Sequence, residues 1–370
     1  MKKLKHLLLI MQVLLISGAA FAQLSKEYTA FVKNADDSYD KKEFKACAEA
    51  FAEGFTLHEK VPSFHRYNAA CCWALAGEAD PAFEQLFRIA EHGESGYDHL
   101  MKDTDLNFLH DDERWGKLTA MVKANKEKLE ENYNWDLVNE LKVVYEEDQK
   151  YRRESQAAYK KYGRDSEEVK ALWEVIKEKD AINLEKVTKI IDEHGWLGSD
   201  VIGKQGNGAL FLVIQHSDLD VQLKYLPMMR EAVAKGNARA SSLALLEDRT
   251  SLRQGKRQIY GSQIGTDPDT GEHYVLPLDD PDNVDKRRAE VGLGLLAEYA
   301  NRFDVVWDVE AYKQQLPAIE AKRAEQEKLK AEAKKAEENK TKEEVKVISQ
   351  PTKKKKKKKR KRLFRKGKKK

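Results

Sequence analysis

From Leu24 to Lys128 the apolar residues recur three and four positions apart in short runs that break at Gly and Pro, the pattern of consecutive amphipathic helices. Phe44, Cys47 and Phe51 are echoed 35 positions later by Ala79, Ala82 and Leu86, close to the period of a helix-turn-helix repeat. A third, partial stripe comes next in Leu106, Leu109, Trp115, Leu118 and Val122. These residues define a first helical unit, 23–130. Helical pairs of this kind bury their faces only against neighbours, so the unit is expected to lean on the adjoining domain.

A second unit, 134–310, opens with a helix from Trp135 to about Tyr162 whose stripe Leu137, Leu141, Val144 continues into Asp148 and Arg152. That charged pair either points into a site or forms a solvated bridge, and spacing alone favours the bridge. The next helix takes Asn183 as N-cap, Leu184, Val187, Ile190 and Ile191 as its buried stripe, and Gly195 as its stop. GWLGSDVIGKQGNG reads as a glycine-rich loop without the spacing of a phosphate-binding loop. The helix GALFLVIQH then places His216 at the end of the stripe Ala209, Leu212, Val213, where a lone His is more often a core residue than a catalyst. Ser217 and Asp220 fit a capping box for a helix that bends at Pro227 and stops near Gly236; capping accounts for Asp218 and Asp220 more simply than a metal does. A helix from about Asn237 ends in Leu246-Glu247-Asp248-Arg249. Alternation in RQIYGSQ and EHYVLPL around GTDPDTG predicts a β-hairpin from Arg257 to about Leu278. Asp267 and Asp269 begin like a calcium loop that lacks its third acidic position and closing Glu. A last helix, near Val284 to Tyr299, buries Val284, Val291 and Leu295 and carries Arg287 and Arg288 at its edges.

The flanks change the picture. Basic Lys2, Lys3 and Lys5, an apolar run from Leu7 to Ile16 and the exit Ala20-Phe21-Ala22 read as a signal peptide, 1–22, cleaved near Ala22-Gln23, which predicts a periplasmic or secreted protein. The apolar run is too short for a membrane span, and no later segment offers one. Residues 317–350, mostly Ala, Glu and Lys, read as a charged helical spacer or loose coiled coil. Beyond it lies the polybasic tail 351–370, with 15 of the 18 residues from Lys353 to Lys370 being Lys or Arg. All 63 Asp and Glu lie between Gln23 and Thr352, whereas 18 of the 67 Lys and Arg lie outside that stretch, so a body of net charge −14 carries a strongly basic tail. Such a run binds polyanions, here an anionic envelope surface, by counterion release, unless it is an accident of an adenine-rich coding run. Cys47, Cys71 and Cys72 fall short of a disulfide framework. Core packing is their expected role, with a Cys47 bridge to Cys71 or Cys72 left open.

FHRYNAACCWALAGEADPAFEQLFRIAEHG resembles a tetratricopeptide unit, with Ala70 at the helix crossing, Trp73 in the first helix, Gly77 at the turn, and Ala82 and Leu86 on the second helix. The resemblance implies a groove for a peptide or protein segment, or a brace for the next domain. From Asp148 to Tyr299 the chain resembles the bacterial domain-of-unknown-function 6624 family in an ordered set of short motifs. These are Asp148 and Arg152; Gly195-Trp196; Gln215-His216; Asp248-Arg249; Gln258, Tyr260, Gly261 and Gln263; and Arg287-Arg288. Leu197 stands where a Pro is common and Ser262 where a Thr is common. The resemblance implies a mainly helical domain and brings no established activity.

Two readings of these polar residues stand side by side. In one, Arg152, Arg249 and Arg288, with Arg287 nearby, hold an anionic group that Tyr260, Gln258 and Gln263 orient, with His216 and Asp248 as acid and base. In the other, the same groups form a satisfied network that fixes the fold. No nucleophile, metal cage or cofactor fingerprint occurs, so no metal or cofactor is expected. The overall expectation is a mainly α protein of tetratricopeptide-like hairpins, then a helical domain with one β-hairpin, a charged helix and a disordered basic tail. The function expected of it is binding of a protein or ligand, with a hydrolase or transferase as the alternative.

Overall fold

The computed structural model describes residues 25–349 except Glu59, Arg164, Pro268 and Asp269. The segment read as a signal peptide, the polybasic tail and the Asp269 half of the calcium-loop pattern therefore lie outside the described residues.

The first unit is a run of helical hairpins. Ser25 caps α1 (Lys26–Asp40) by accepting the Tyr28 N–H at 3.1 Å, and α1 pairs with α2 (Phe44–Thr56). The next pair is α3 (Ser63–Leu75) and α4 (Ala79–Glu91), joined through Gly77 at φ 79°, a left-handed turn position that favours glycine. The helices α2 and α4 start at Phe44 and Ala79, so the period seen in the sequence is the distance between the second helices of successive hairpins. A short helix, α5 (Tyr97–Leu100), a 3₁₀ turn (Thr104–Leu109) and α6 (Glu113–Glu130) complete the unit. Its larger core gathers Ala82, Phe83, Leu86, Leu106, Leu109 and Leu118. Each fully buried Leu or Phe there contributes roughly 1.5–3 kcal/mol. A smaller core around Ala35, Ala48 and Phe51 includes a Cys47–Cys72 disulfide, which leaves Cys71 as a buried thiol.

The second unit begins with three long helices: α7 (Trp135–Tyr162), α8 (Glu167–His194) and α9 (Ser199–His216). Ser166, not Asn183, caps α8; Asn183 lies fully buried inside the helix, because the charged stretch before it is one exposed face of the same helix. The predicted glycine-rich loop is mostly helix as well. Its break is one residue, Gly203 at φ 69°, and there the N–H of Asn134, the cap of α7, donates to the Val201 carbonyl at 2.9 Å, while α6 of the first unit also packs against α9. Gly206 lets α9 approach α7 closely, since a Cβ there would stand 3.3 Å from Leu141. Around that crossing Leu141, Val144, Val187, Ile191, Leu210 and Ile214 form the main core.

The helices α10 (Leu219–Ala234, with Pro227 inside) and α11 (Ala240–Arg253) fold back over α9. The expected capping box is not formed: the Ser217 hydroxyl donates to the Ile214 carbonyl at 2.7 Å, and Asp218 stands at the cap without a side-chain bond. The hairpin is short, with β1 (Ile264–Thr266) antiparallel to β2 (His273–Val275). RQIYGSQ is not a strand; it wraps around Asp248, with a single bridge from Gln258 to Leu278. The predicted last helix is two, α12 (Val284–Glu290) and α13 (Leu296–Asn301), separated at Gly292, which sits at φ 75°. The charged helix α14 (Val309–Ser349) starts before the predicted spacer, and its first turns bury Tyr312 and Leu316 against Val275 and Leu278. Among the described residues no helix is long and apolar enough to cross a membrane.

Candidate functional site

The residues expected to form one pocket fall into two groups. The first is built on Asp248, which is fully buried near the end of α11. One of its oxygens accepts the N–H groups of Ile259 and Tyr260 at 2.6 and 2.9 Å, and the other accepts that of Ser262 at 2.9 Å. Burial pushes its carboxyl up, and the three N–H groups pull against that rise. Gly261 lies inside this turn at φ 68°, where a Cβ would press on Leu296 at 3.0 Å. From the other side Arg288 donates to the Tyr260 and Gly294 carbonyls at 2.8 and 2.6 Å, with its guanidinium 5.2 Å from the Tyr299 ring centre. Arg287 donates to the Ile259 and Asp279 carbonyls. Gln258 is saturated by the Gln263 N–H and carbonyl and by the Leu276 carbonyl. Asp248, Gln258, Arg287 and Arg288 are thus taken up by backbone groups and hold the 258–263 loop. Tyr260 is half-buried on that loop, with its phenol raised by burial and by Glu247 and Asp248, and Gln263 donates to Ser262 at 3.1 Å.

The second group surrounds His216, the last residue of α9. Its Nδ1 lies 2.9 Å from an Asp148 carboxylate oxygen, so the carboxylate bonded to the imidazole is Asp148 and not Asp248. Only 1% of the Asp148 side chain is exposed, and the charged pair of α7 is a buried constellation and not a solvated bridge. Burial alone would raise the Asp148 carboxyl; the hydrogen bond and charge of His216, the charge of Arg152 and the Gln149 amide hold it below its ordinary value. An ionised carboxylate only accepts, so the Nδ1 donates to it, and the ring's other nitrogen, Nε2, belongs to a side chain that is 20% exposed. Arg152 spends itself on Asp148 and on Asp180 of α8, at 3.1 and 2.8 Å. Arg249 and Arg253, one turn apart on α11, donate to the Gln215 and Ser217 carbonyls on either side of His216, at 3.0 and 2.8 Å. Burial, then the like charges of Arg253 and Arg152, bring Arg249 down to about 10, and its Nε is buried with no partner among the described residues.

The first unit contains a groove, as the tetratricopeptide resemblance implies, whose acidic lining the sequence pattern does not reveal. A cavity of about 380 Å³ carries Asp36 and Asp40 of α1 on one wall and Asp103 and Asp105 on the other, with His99 beside them. The Tyr39 phenol donates to Asp105 at 2.6 Å, which with burial pushes it up to about 12, and Tyr67 donates to Asp103 at 2.9 Å. A second cavity, about 230 Å³, is walled by Phe64, Leu86, Ile89, Leu100, Leu118 and Val122. Tyr67, Asn68 and His99 line both cavities, so the two adjoin across α3 and together make a trough. The carboxylates come from helices in different repeats and each reads locally as a solvated polar position, so no spacing in the sequence reveals them. The nearest approach to a metal-ligand set among the described residues is Cys71, Asp103 and Asp105, whose ligand atoms lie within 4.8 Å of one another. Burial and those carboxylates raise the Cys71 thiol, which keeps it protonated and a poor metal ligand.

No curated protein and no solved structure matches the chain. A family model does, over residues 135–312, from the first residue of α7 to the buried Tyr312 of α14 that closes the hairpin core; over this stretch, just under half of the chain, the second unit matches a family of unknown function, DUF6624.

Proposed function

We propose that this is an exported recognition protein whose first unit binds an extended peptide segment carrying a basic side chain next to an apolar one. The observation that carries the reading is the trough over α3, acidic at one end and apolar at the other. Four Asp and no Lys or Arg line its acidic half, so a lysine or arginine entering there meets carboxylates and phenol oxygens, with Asn68 and His99 beside them. The apolar half is sized for one large side chain, whose burial is worth roughly 1.5–3 kcal/mol. Phe64, 62% exposed at its edge, offers further apolar contact. On this reading the second unit is the platform to which the first unit is fixed by the packing of α6 on α9. The Cys47–Cys72 disulfide and the pattern of Met1 to Ala22 support an oxidising destination, periplasmic or secreted. The Lys353–Lys370 tail would tether the protein to an anionic envelope surface, with affinity falling steeply as salt rises.

Fluorescence anisotropy with labelled peptides tests the groove. A peptide pairing Arg or Lys with Leu or Phe should bind, and Asp36→Asn with Asp103→Asn should weaken it by about tenfold or more. Equal binding of a peptide in which Glu replaces the basic residue would count against the acidic half of the trough as the recognition element.

A further inference from the structure

We propose that His216, Arg249 and Arg253 form a second binding site, in the family domain, for a small oxyanion such as a carboxylate or phosphate group. The site is separate from the groove and does not depend on it.

Each charged group around His216 differs in what it has left to offer a ligand. From α7, Asp148 holds the imidazole through Nδ1, and Arg152 is neutralised by Asp148 and Asp180. From α11, part-buried Arg249 and exposed Arg253 each give one N–H to a carbonyl beside His216, which places both arginines at the end of α9. Neither forms an ion pair with a carboxylate among the described residues, and the Arg249 Nε is buried without an acceptor. From α13, Tyr299 lies within electrostatic range of Arg249, while its hydroxyl is committed to the Ser262 carbonyl at 2.8 Å. The result is a part-exposed imidazole beside two arginines with unspent donors and no anion to receive them. A buried donor without an acceptor is costly, and like charges held side by side add to that cost. An oxyanion relieves both at once. It would accept from the arginines and from His216 Nε2, with the imidazole lying between Asp148 and the ligand. Arg287 and Arg288 do not contribute, because their donors are occupied in the 258–263 frame.

The competing account is that Arg249 and Arg253 merely cap the C-terminal carbonyls of α9. Calorimetric titration of the full chain with sulfate, inorganic phosphate and acetate, each at constant ionic strength with chloride, separates the two. Sulfate or phosphate should bind the wild type, with acetate reporting whether a carboxylate suffices. Affinity should fall about tenfold in Arg253→Gln and in His216→Gln, and survive in Arg253→Lys, which keeps the charge. Thermal melts accompany each variant, so that a folded Arg253→Gln protein without sulfate binding counts for the site. Absence of binding by all three anions in the wild type overturns the proposal, as does sulfate affinity that is unchanged in both Gln variants.

Discussion

Asp248 and Asp148 are both buried carboxylates beside arginines, both in the family domain, and they do opposite things. Asp248 accepts three backbone N–H groups, so its charge is consumed in shaping a loop. Asp148 accepts from side chains, and one of them, His216, carries a second, outward nitrogen. A carboxylate that ends on backbone is a frame; one that ends on an imidazole passes its polarity on to the surface. Burial and net charge do not tell the two apart, whereas the identity of the donors does.

The comparison breaks most sharply at Asp248. Asp248→Ala leaves three buried N–H groups without an acceptor and removes the partner of the loop, and it is expected to cost about 3–5 kcal/mol or to abolish folding. Urea denaturation followed by circular dichroism measures this. A loss under about 1 kcal/mol would mean that the loop holds itself and that Asp248 is available for chemistry after all.

What is legible in the sequence depends on whether the information is local. The period from Phe44 to Ala79 is a local repeat, and it locates both hairpins. Asp148 and Arg152 are legible as residues continuing an apolar stripe; that the stripe runs under α9 is a tertiary fact, which is why spacing favours a solvated bridge. Asp248 and His216 both stand out in the sequence as an acid and base pair, because nothing along the chain distinguishes a partner 68 residues before His216 from one on the next helix but one. Asn183 misleads because its polar type signals a cap, while its neighbours continue the helix through it. The groove's acidic lining is invisible for a different reason: Asp36 and Asp103 meet only once three hairpins have stacked.

Next in size is the disulfide, which bears on the other unit. Closing the loop between Cys47 and Cys72 restricts the unfolded chain, and for a separation of 25 residues the stabilisation is about 3 kcal/mol. Reduction, or Cys72→Ser, should lower the melting transition of the first unit. If the second unit then melts at an unchanged temperature in calorimetry, the groove and the oxyanion site are energetically separate; a common shift would show that the packing of α6 on α9 couples them.

The acid side of the pH profile sharpens the contrast between the carboxylates through its sign. Asp148 is held below its ordinary value in the fold, so its contribution is present above the unfolded carboxylate pKa and is lost as pH falls through the depressed folded one. Asp248 is raised, so its linkage runs the other way, favouring the fold below the unfolded pKa and losing that advantage as pH rises through the raised one. Denaturation midpoints from about pH 6 downward should therefore fall less steeply in Asp148→Asn than in the wild type. An unchanged slope would mean that Asp148 is not ionised against His216 and Arg152.

The smallest expected effect is also the one that separates a site from a scaffold. His216 closes α9, but its ring makes one hydrogen bond, and the helix end is already held by Arg249, Arg253 and the Ser217 hydroxyl. His216→Gln keeps an amide donor within reach of Asp148 and should change stability by less than about 1 kcal/mol in chemical denaturation. A residue placed for packing would cost more, since losing buried volume and a partner together typically costs about 2–5 kcal/mol. A near-neutral result would leave a buried carboxylate oriented toward an imidazole that the fold does not need, which is the arrangement expected where the polar group is held for something that arrives from outside.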